Sequence, residues 1–390
     1  MVMRLLLLLW LILSCSSARA QDAAGGGPQC RDCQNRGCLD CKSHGKDGLA
    51  LEREVLYCSV ATDCKVCAGA LATDCKICKN PGVEKDLEER KAMAKKWLDE
   101  RRAKVDAVCK NPEILYLKTA HCDLTFSIPP LTVGRDKVDT HRLMHLYGKR
   151  IEELRSRYCD LFGVADKDFS ARLDIYLFKD PRDHRTMAPR VTGAGGGTSA
   201  SQKLMGASAA LSMWHDQRGM PGDEGLWRSV VHNTTHLILS NMKPEQWLGN
   251  RKYGWVDEGV AHWFEDLMTQ KCTNFCYEEV ALQSGASFKG GRWRVPVRKI
   301  IESGRTHTFA ELSQKNTDQL VFEEHAFVFA WIDFLMAKFG GNKLKELAVL
   351  AKKDSSARDA LQQVYGMNPF AFDEQFTAWV KATYPLEEKQ

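Results

Sequence analysis

The stretch that decides the fold is VVHNTTHLIL, at residues 230–239. Its apolar residues surround two histidines, His232 and His236, and predict a buried helix. Side chains four positions apart lie on one face of a helix, one turn from each other, which is the spacing that two ligands of one metal ion need. The chain has a second pair with this spacing, His141 and His145, which we interpret as polar residues on an ordinary helix.

A second motif, WVDEGVAHWFE, follows at residues 255–265. Its Glu258, on a second predicted helix, would complete a site of two histidines and one glutamate that leaves the fourth position of a zinc ion open. The alternative is that His232 and His236 are core histidines bonded to buried carboxylates, without a metal. The position of Glu258 after the paired histidines favours the metal site.

Together the two motifs resemble the gluzincin metallopeptidases, and more closely the bacterial peptidase MA-like group within that superfamily. Members share a helix with His-Glu-x-x-His and a later helix that opens with Glu-Gly-x-Ala. The resemblance covers about residues 110–390. It implies a zincin-like domain in which His232, His236 and Glu258 are the metal ligands, zinc is the cofactor, and a peptide or protein is the substrate or ligand.

One position departs from the family pattern. Asn233 stands where the family has the glutamate that acts as the general base. An amide cannot accept a proton at any working pH, and loss of a positioned base typically reduces a rate by ~10²–10⁴. Two functions therefore remain open: a zinc metallopeptidase-like hydrolase of reduced or lost activity, and a non-enzymatic pseudopeptidase that binds peptides or components of the cell envelope.

Two further histidines are candidates for the site. His262 follows Glu258 by four residues and lies on the same face of a regular helix, where it could be a fourth ligand or a displaced general base. His325 follows Glu258 by 67 residues. Related gluzincins place a residue that stabilises the transition state at a similar distance, and the resemblance makes His325 a candidate for that role. For both histidines, a satisfied polar contact is the alternative.

Around these motifs, residues 109–390 are predicted to form one α+β domain, with a small N-terminal sheet and a mainly helical C-terminal part that begins near Leu226. The hydrophobic periodicity predicts an amphipathic helix over His141–Phe162. A glycine-rich loop is predicted at residues 193–197. Strands are predicted at residues 114–117, 124–128 and 173–178, and an edge strand is predicted at residues 207–213.

The first 20 residues have the three parts of a secretory signal peptide: Arg4, an apolar run over residues 5–13, and an Ala-x-Ala end at residues 18–20. The segment ILSC, at residues 12–15, also resembles a lipoprotein cleavage box, in which Cys15 would carry a lipid anchor. Both interpretations predict export, either as a secreted or periplasmic protein or as one attached to the cell envelope.

Cysteines are concentrated in residues 21–82, which hold nine of the 15 cysteines and four Cys-x-x-Cys pairs. This spacing is typical of zinc knuckles, whereas an exported protein favours disulfides. In either case the module is structural. Residues 83–108 are rich in alternating charges and predict a solvated helical linker. Further along, Cys272 is expected to pair with Cys276, as a disulfide or a weak metal pair, or to find partners among the following residues: Cys109, Cys122 and Cys159.

The composition excludes several classes of protein. With 44% hydrophobic and 27% charged residues, the chain of 390 residues is neither collagen-like nor disordered. The net charge of +5 comes from 55 basic and 50 acidic residues and gives no indication of nucleic-acid binding. No stretch approaches the ~20 apolar residues that span a bilayer, so a protein with several membrane spans is not predicted.

Overall fold

The computed structural model describes residues 92, 96–193, 199–275 and 290–387. A mixed sheet of five strands forms around parallel central strands, with an antiparallel strand at each edge. Its strands, in spatial order, are β1 (Leu115–Lys118), β2 (Cys122–Phe126), β5 (Leu173–Phe178), β7 (Ala209–Trp214) and β6 (Ser201–Leu204). A separate antiparallel hairpin consists of β3 (Leu131–Val133) and β4 (Asp136–Val138).

Helices make up most of the remaining described chain, and the described residues of the C-terminal part form helices and the connections between them. In chain order they are α1 (residues 96–106), α2 (Thr140–Phe162), α3 (Pro181–Thr192), α4 (Gly222–Asn241), α5 (Gly254–Thr269), α6 (Arg294–Glu302), α7 (Phe309–Leu312), α8 (Phe322–Phe339), α9 (Gly341–Lys352), α10 (Ala357–Tyr365) and α11 (Pro369–Thr383).

Both faces of the sheet are covered, because successive side chains of a strand point to opposite faces. In β5, Leu173, Ile175 and Leu177 join the main core with α2 and α4. Tyr176 and Phe178 face the other way and join a smaller core with α1 and α3. The sheet therefore lies between two helical layers, and α4, which carries the paired histidines, belongs to the main core.

The helix α5 packs closely against α8, and a glycine makes this contact possible. A Cβ atom at Gly259 would lie 2.6 Å from Ile332 Cγ1 and 2.7 Å from the carbonyl oxygen of Val328. Both distances are shorter than any normal contact, so a side chain at position 259 would push the two helices apart. Gly259 therefore allows α8 to pack directly against α5, next to Glu258.

The predicted α+β class, the strand at residues 173–178 and the helix over His141–Phe162 are confirmed. The predicted edge strand was wrong in its position: β7 lies inside the sheet, and β6 forms the edge. The error has a physical reason, since β6 has the sequence SQKL and lacks an apolar pattern, while β7 is buried on both faces. Residues 194–197 of the predicted loop at residues 193–197 lie outside the described residues.

The N-terminal predictions also lie outside the described residues, except that α1 confirms a helix over part of residues 83–108. The prediction that this helix is solvated was wrong, because its Val105 and Arg101 are buried against the sheet. The predicted pairing of Cys272 with a described cysteine was wrong, because Cys109, Cys122, Cys159 and Cys272 are free thiols. Cys276 is not among the described residues. None of the described helices has both the length and the apolar character to span a bilayer.

Candidate metal centre

Three side chains from α4 and α5 converge at the centre of the helical part. The Nε2 atoms of His232 and His236 lie 3.2 Å apart. Each also lies 3.6 Å from an oxygen of Glu258, His232 from Oε2 and His236 from Oε1. Ligand distances of 2.0–2.1 Å in a tetrahedral site separate neighbouring donor atoms by about 3.3 Å. The three residues are therefore spaced as ligands of one metal ion, as the sequence predicts.

Both histidines are oriented by carboxylates behind them. Nδ1 of His232 lies 3.1 Å from Glu265 Oε2, and Nδ1 of His236 lies 3.1 Å from Asp257 Oδ1. A histidine that donates its Nδ1–H to a carboxylate presents an unprotonated Nε2, which is the form that binds a metal. Both Nε2 atoms therefore face Glu258 as acceptors.

Asp257 is itself fixed by two donors. Its Oδ2 accepts hydrogen bonds from Trp247 Nε1 at 2.8 Å and from Thr317 Oγ1 at 3.2 Å. Burial alone would raise the pKa of Asp257, but the neighbouring His236 and the hydrogen bond from Trp247 lower it. Asp257 therefore stays ionised and keeps one oxygen for the imidazole of His236.

Glu265 holds two rings of the cluster. Its Oε2 lies 3.1 Å from His232 Nδ1 and 3.4 Å from His262 Nδ1. Its Oε1 accepts the backbone N–H groups of Thr273 and Asn274 at 2.6 and 3.2 Å. Burial would raise the pKa of Glu265, but the hydrogen bonds to the two histidines lower it to about 2. Glu265 therefore orients the rings of His232 and His262, and both of its oxygens already accept hydrogen bonds.

The imidazoles are neutral at physiological pH. Burial lowers the pKa of His232 to about 4, although the hydrogen bond to Glu265 opposes the shift. Burial also lowers the pKa of His236, against the opposing charge of Asp257. Metal ions bind the neutral form of histidine, so neither ring has to lose a proton before it binds.

The helix α4 is fixed near both ends, which sets the position of its histidines. Near its N-terminus, Asp223 forms a bidentate ion pair with Arg150, with N···O distances of 2.8 and 3.0 Å. At its C-terminus, the buried Lys352 donates hydrogen bonds to the carbonyl groups of Leu239, at 2.6 Å, and of Met242. Burial lowers the pKa of Lys352 to about 7.

Asn233 lies between the paired histidines but does not point its amide at a ligand. Its Nδ2 donates to the carbonyl oxygen of Ser229 at 2.8 Å, one turn back along α4. Its Oδ1 lies 3.5 Å from Ser201 Oγ on the edge strand β6. The side chain therefore ties α4 to itself and to the sheet, and it has no group that can take up a proton.

His262 and His325 also reach Glu258. His262 Nε2 lies 3.4 Å from Glu258 Oε2, so the two residues share one face of α5 as predicted. His325, on α8, places its Nδ1 3.6 Å from the same oxygen and 2.9 Å from His262 Nε2. Burial lowers the pKa of His262 to about 4 and that of His325 well below its ordinary value. The rings of Trp293 and Phe275 pack against this pair.

In the described part of the chain, every group of residues that could hold a metal ion belongs to this cluster. His141 and His145 form no such group, although their Nε2 atoms lie 3.0 Å apart. Sequence reasoning missed Asp257 and Glu265. The signal for Glu265 is its position seven residues after Glu258, which is two helical turns on the same face.

No protein-family model matches the chain, and no curated protein is significantly similar to it. The cluster can hold a metal ion between two oriented, neutral histidines and a carboxylate.

Proposed function

We propose that this protein is an exported, zinc metallopeptidase-like protein in which His232, His236 and Glu258 hold a zinc ion. One observation carries the proposal: each histidine of the pair contacts a carboxylate through Nδ1 and faces Glu258 through Nε2. This arrangement is typical of metal ligands and their supporting shell. Two imidazoles and one carboxylate are a donor set that suits zinc.

The burial of the cluster supports a bound cation. Asp257, Glu258 and Glu265 are carboxylates of at most 1% exposure, and the histidines around them are neutral. Buried charges are costly unless they are paired or coordinate a metal. A divalent cation between the paired histidines and Glu258 offsets that cost.

The catalytic step is where this chain differs from the family that it resembles. Zinc, when bound, polarises a carbonyl group and lowers the pKa of a coordinated water to about 7. A general base must then take up the proton, and the amide of Asn233 cannot do so. His262 is the candidate for a displaced base, and His325 is the candidate for stabilising an oxyanion. The group formed by His232, His236 and Glu258 does not extend to His262, which argues against His262 as a fourth ligand of the same ion.

A second candidate function is a pseudopeptidase that retains zinc and binds peptide without cleaving it. The hydrogen bond from Asn233 Nδ2 to Ser229 favours this candidate, because it uses the amide for helix structure. The near-complete burial of the three ligands also favours retention of the metal over turnover, since structural metal sites are closed.

Restoring the general base separates the two functions. The full chain and its Asn233→Glu and Asn233→Gln variants would be loaded with zinc and assayed on unstructured fluorogenic peptides. We expect Asn233→Glu to hydrolyse peptides faster than the natural chain by ~10²–10⁴, with no gain in Asn233→Gln. Activity in the natural chain that is lost on His262→Ala would instead support a displaced base. A His232→Ala variant that binds as much zinc as the natural chain would refute the ligand assignment.

A further inference from the structure

Glu258 belongs to two groups of potential metal ligands. The first contains His232 and His236, and the second contains His262 and His325. In the second group, Glu258 Oε2 lies 3.4 Å from His262 Nε2 and 3.6 Å from His325 Nδ1. Ligands of one ion in a tetrahedral site are separated by about 3.3 Å. The second group therefore has the donor types and nearly the spacing of the first.

The contact of His262 with Glu265 directs the other ring nitrogen of His262 toward His325 and Glu258. A neutral imidazole carries one N–H. His262 directs its Nδ1 at Glu265 Oε2, so its Nε2 is an acceptor. His325 Nδ1 lies 2.9 Å from this nitrogen, within hydrogen-bond distance. A cation among these two nitrogens and Glu258 Oε2 would take the place of the proton that the two rings otherwise share.

The surroundings also suit a metal. His262 is fully buried and His325 is 3% exposed, so both rings are held away from water. The ring of Trp293 lies 4.7 Å from that of His262, and the ring of Phe275 lies 5.1 Å from that of His325. An apolar wall of this kind fixes the ring orientations and strengthens the electrostatic attraction between a cation and its ligands.

We propose that Glu258, His262 and His325 hold a second divalent transition-metal ion, and that Glu258 bridges it to the ion held by His232 and His236. The proposal rests on the proposed function, because the two ions share Glu258. It replaces the candidate roles of His262 as a displaced base and of His325 as an oxyanion partner. The group of His232, His262 and Glu265 is not a third position, since Glu265 contacts the Nδ1 atoms of both rings and orients them. Carboxylate-bridged pairs of ions lie about 3.5–4 Å apart.

The test measures the number of zinc ions bound per chain. The full chain is loaded with zinc, and excess zinc is removed by dialysis before the measurement. Relative to the natural chain, we expect His325→Asn and His262→Asn each to lose one zinc ion, and Glu258→Gln to lose two. His232→Ala loses at least one. His145→Asn is the matched control and loses none. Any zinc held by the cysteine-rich residues 21–82 is the same in every variant and cancels in these differences.

A zinc content that is unchanged in both His325→Asn and His262→Asn, together with a loss in His232→Ala, would overturn the second site and leave the proposed function standing. An unchanged content in His232→Ala as well would overturn both. Because a variant of a buried histidine can fail to fold, X-ray absorption on the natural chain gives an independent measurement. We expect zinc–zinc scattering at about 3.5–4 Å, and its absence would also overturn the second site.

Discussion

The substitution Asp257→Asn tests how the paired histidines are kept in their metal-binding form. In the natural chain Asp257 Oδ2 accepts Trp247 Nε1–H at 2.8 Å, and Oδ1 lies 3.1 Å from His236 Nδ1. An asparagine has one carbonyl oxygen, and the indole N–H requires it. The amide NH₂ then faces His236 and donates to Nδ1, so the proton of the ring moves to Nε2. A protonated Nε2 cannot bind a metal.

The size of the expected loss in zinc affinity follows from the cost of the other orientation that the amide of the variant can adopt. To restore the natural tautomer of His236, the amide must turn over and leave the buried N–H of Trp247 without an acceptor. An unsatisfied buried donor costs about 1–3 kcal/mol. This cost corresponds to a metal affinity that is ~5- to 150-fold weaker. It agrees with the 10–100-fold loss that is typical when a carboxylate behind a metal-bound histidine is replaced.

The assay is a competition for zinc between the metal-free full chain and a chromophoric chelator, with His232→Ala defining the zinc bound elsewhere in the chain. Asp333→Asn is the matched control, because Asp333 also accepts an indole N–H, from Trp263 at 3.0 Å, but contacts no ligand of the cluster. We expect weaker zinc binding in Asp257→Asn and unchanged binding in Asp333→Asn. Equal affinities in Asp257→Asn and the natural chain would refute the tautomer argument.

Two further predictions concern the framework of the site. Gly259→Ala is expected to reduce the free energy of unfolding by about 1–3 kcal/mol, because its Cβ would overlap Ile332 and the carbonyl of Val328. An unchanged midpoint of thermal unfolding in this variant would contradict the close packing of α5 and α8. Lys352 has a pKa of about 7 in the folded chain, against an ordinary value of 10.5. Between pH 7 and 10.5 the unfolded chain therefore binds more protons than the folded chain, and the free energy of unfolding rises with pH. Urea unfolding at pH 7.5 and 9.5 should show that the free energy of unfolding rises more steeply with pH in the natural chain than in Lys352→Met, by up to about 1.4 kcal/mol per pH unit. Equal slopes in the two chains would argue against a buried, neutral lysine.

The convergence of His232, His236 and Glu258 could be predicted from the sequence because helical spacing fixes part of the geometry. His232 and His236 share a face of α4 whatever the rest of the chain does, and the Glu-Gly motif identifies Glu258. The carboxylates behind the ligands were missed for a different reason. Asp257 neighbours Glu258 in the chain, and only the crossing of α4 and α5 brings its side chain to His236.

Long-range packing explains the other limits. His325 was a candidate through the resemblance alone, and its contact with Glu258 depends on how closely Gly259 lets α8 approach α5. The edge strand β6 was not predicted because its residues are half-buried and polar, and hydrogen bonds to β7 hold it in place. Periodicity identifies elements with one apolar face, so a short polar strand gives no signal.

An anomalous difference map at the zinc absorption edge, from crystals of the full chain grown with zinc, tests the metal site most directly. We expect a peak about 2.0–2.2 Å from His232 Nε2, His236 Nε2 and an oxygen of Glu258. Well-ordered side chains at these three residues with no peak among them would contradict the proposed zinc site.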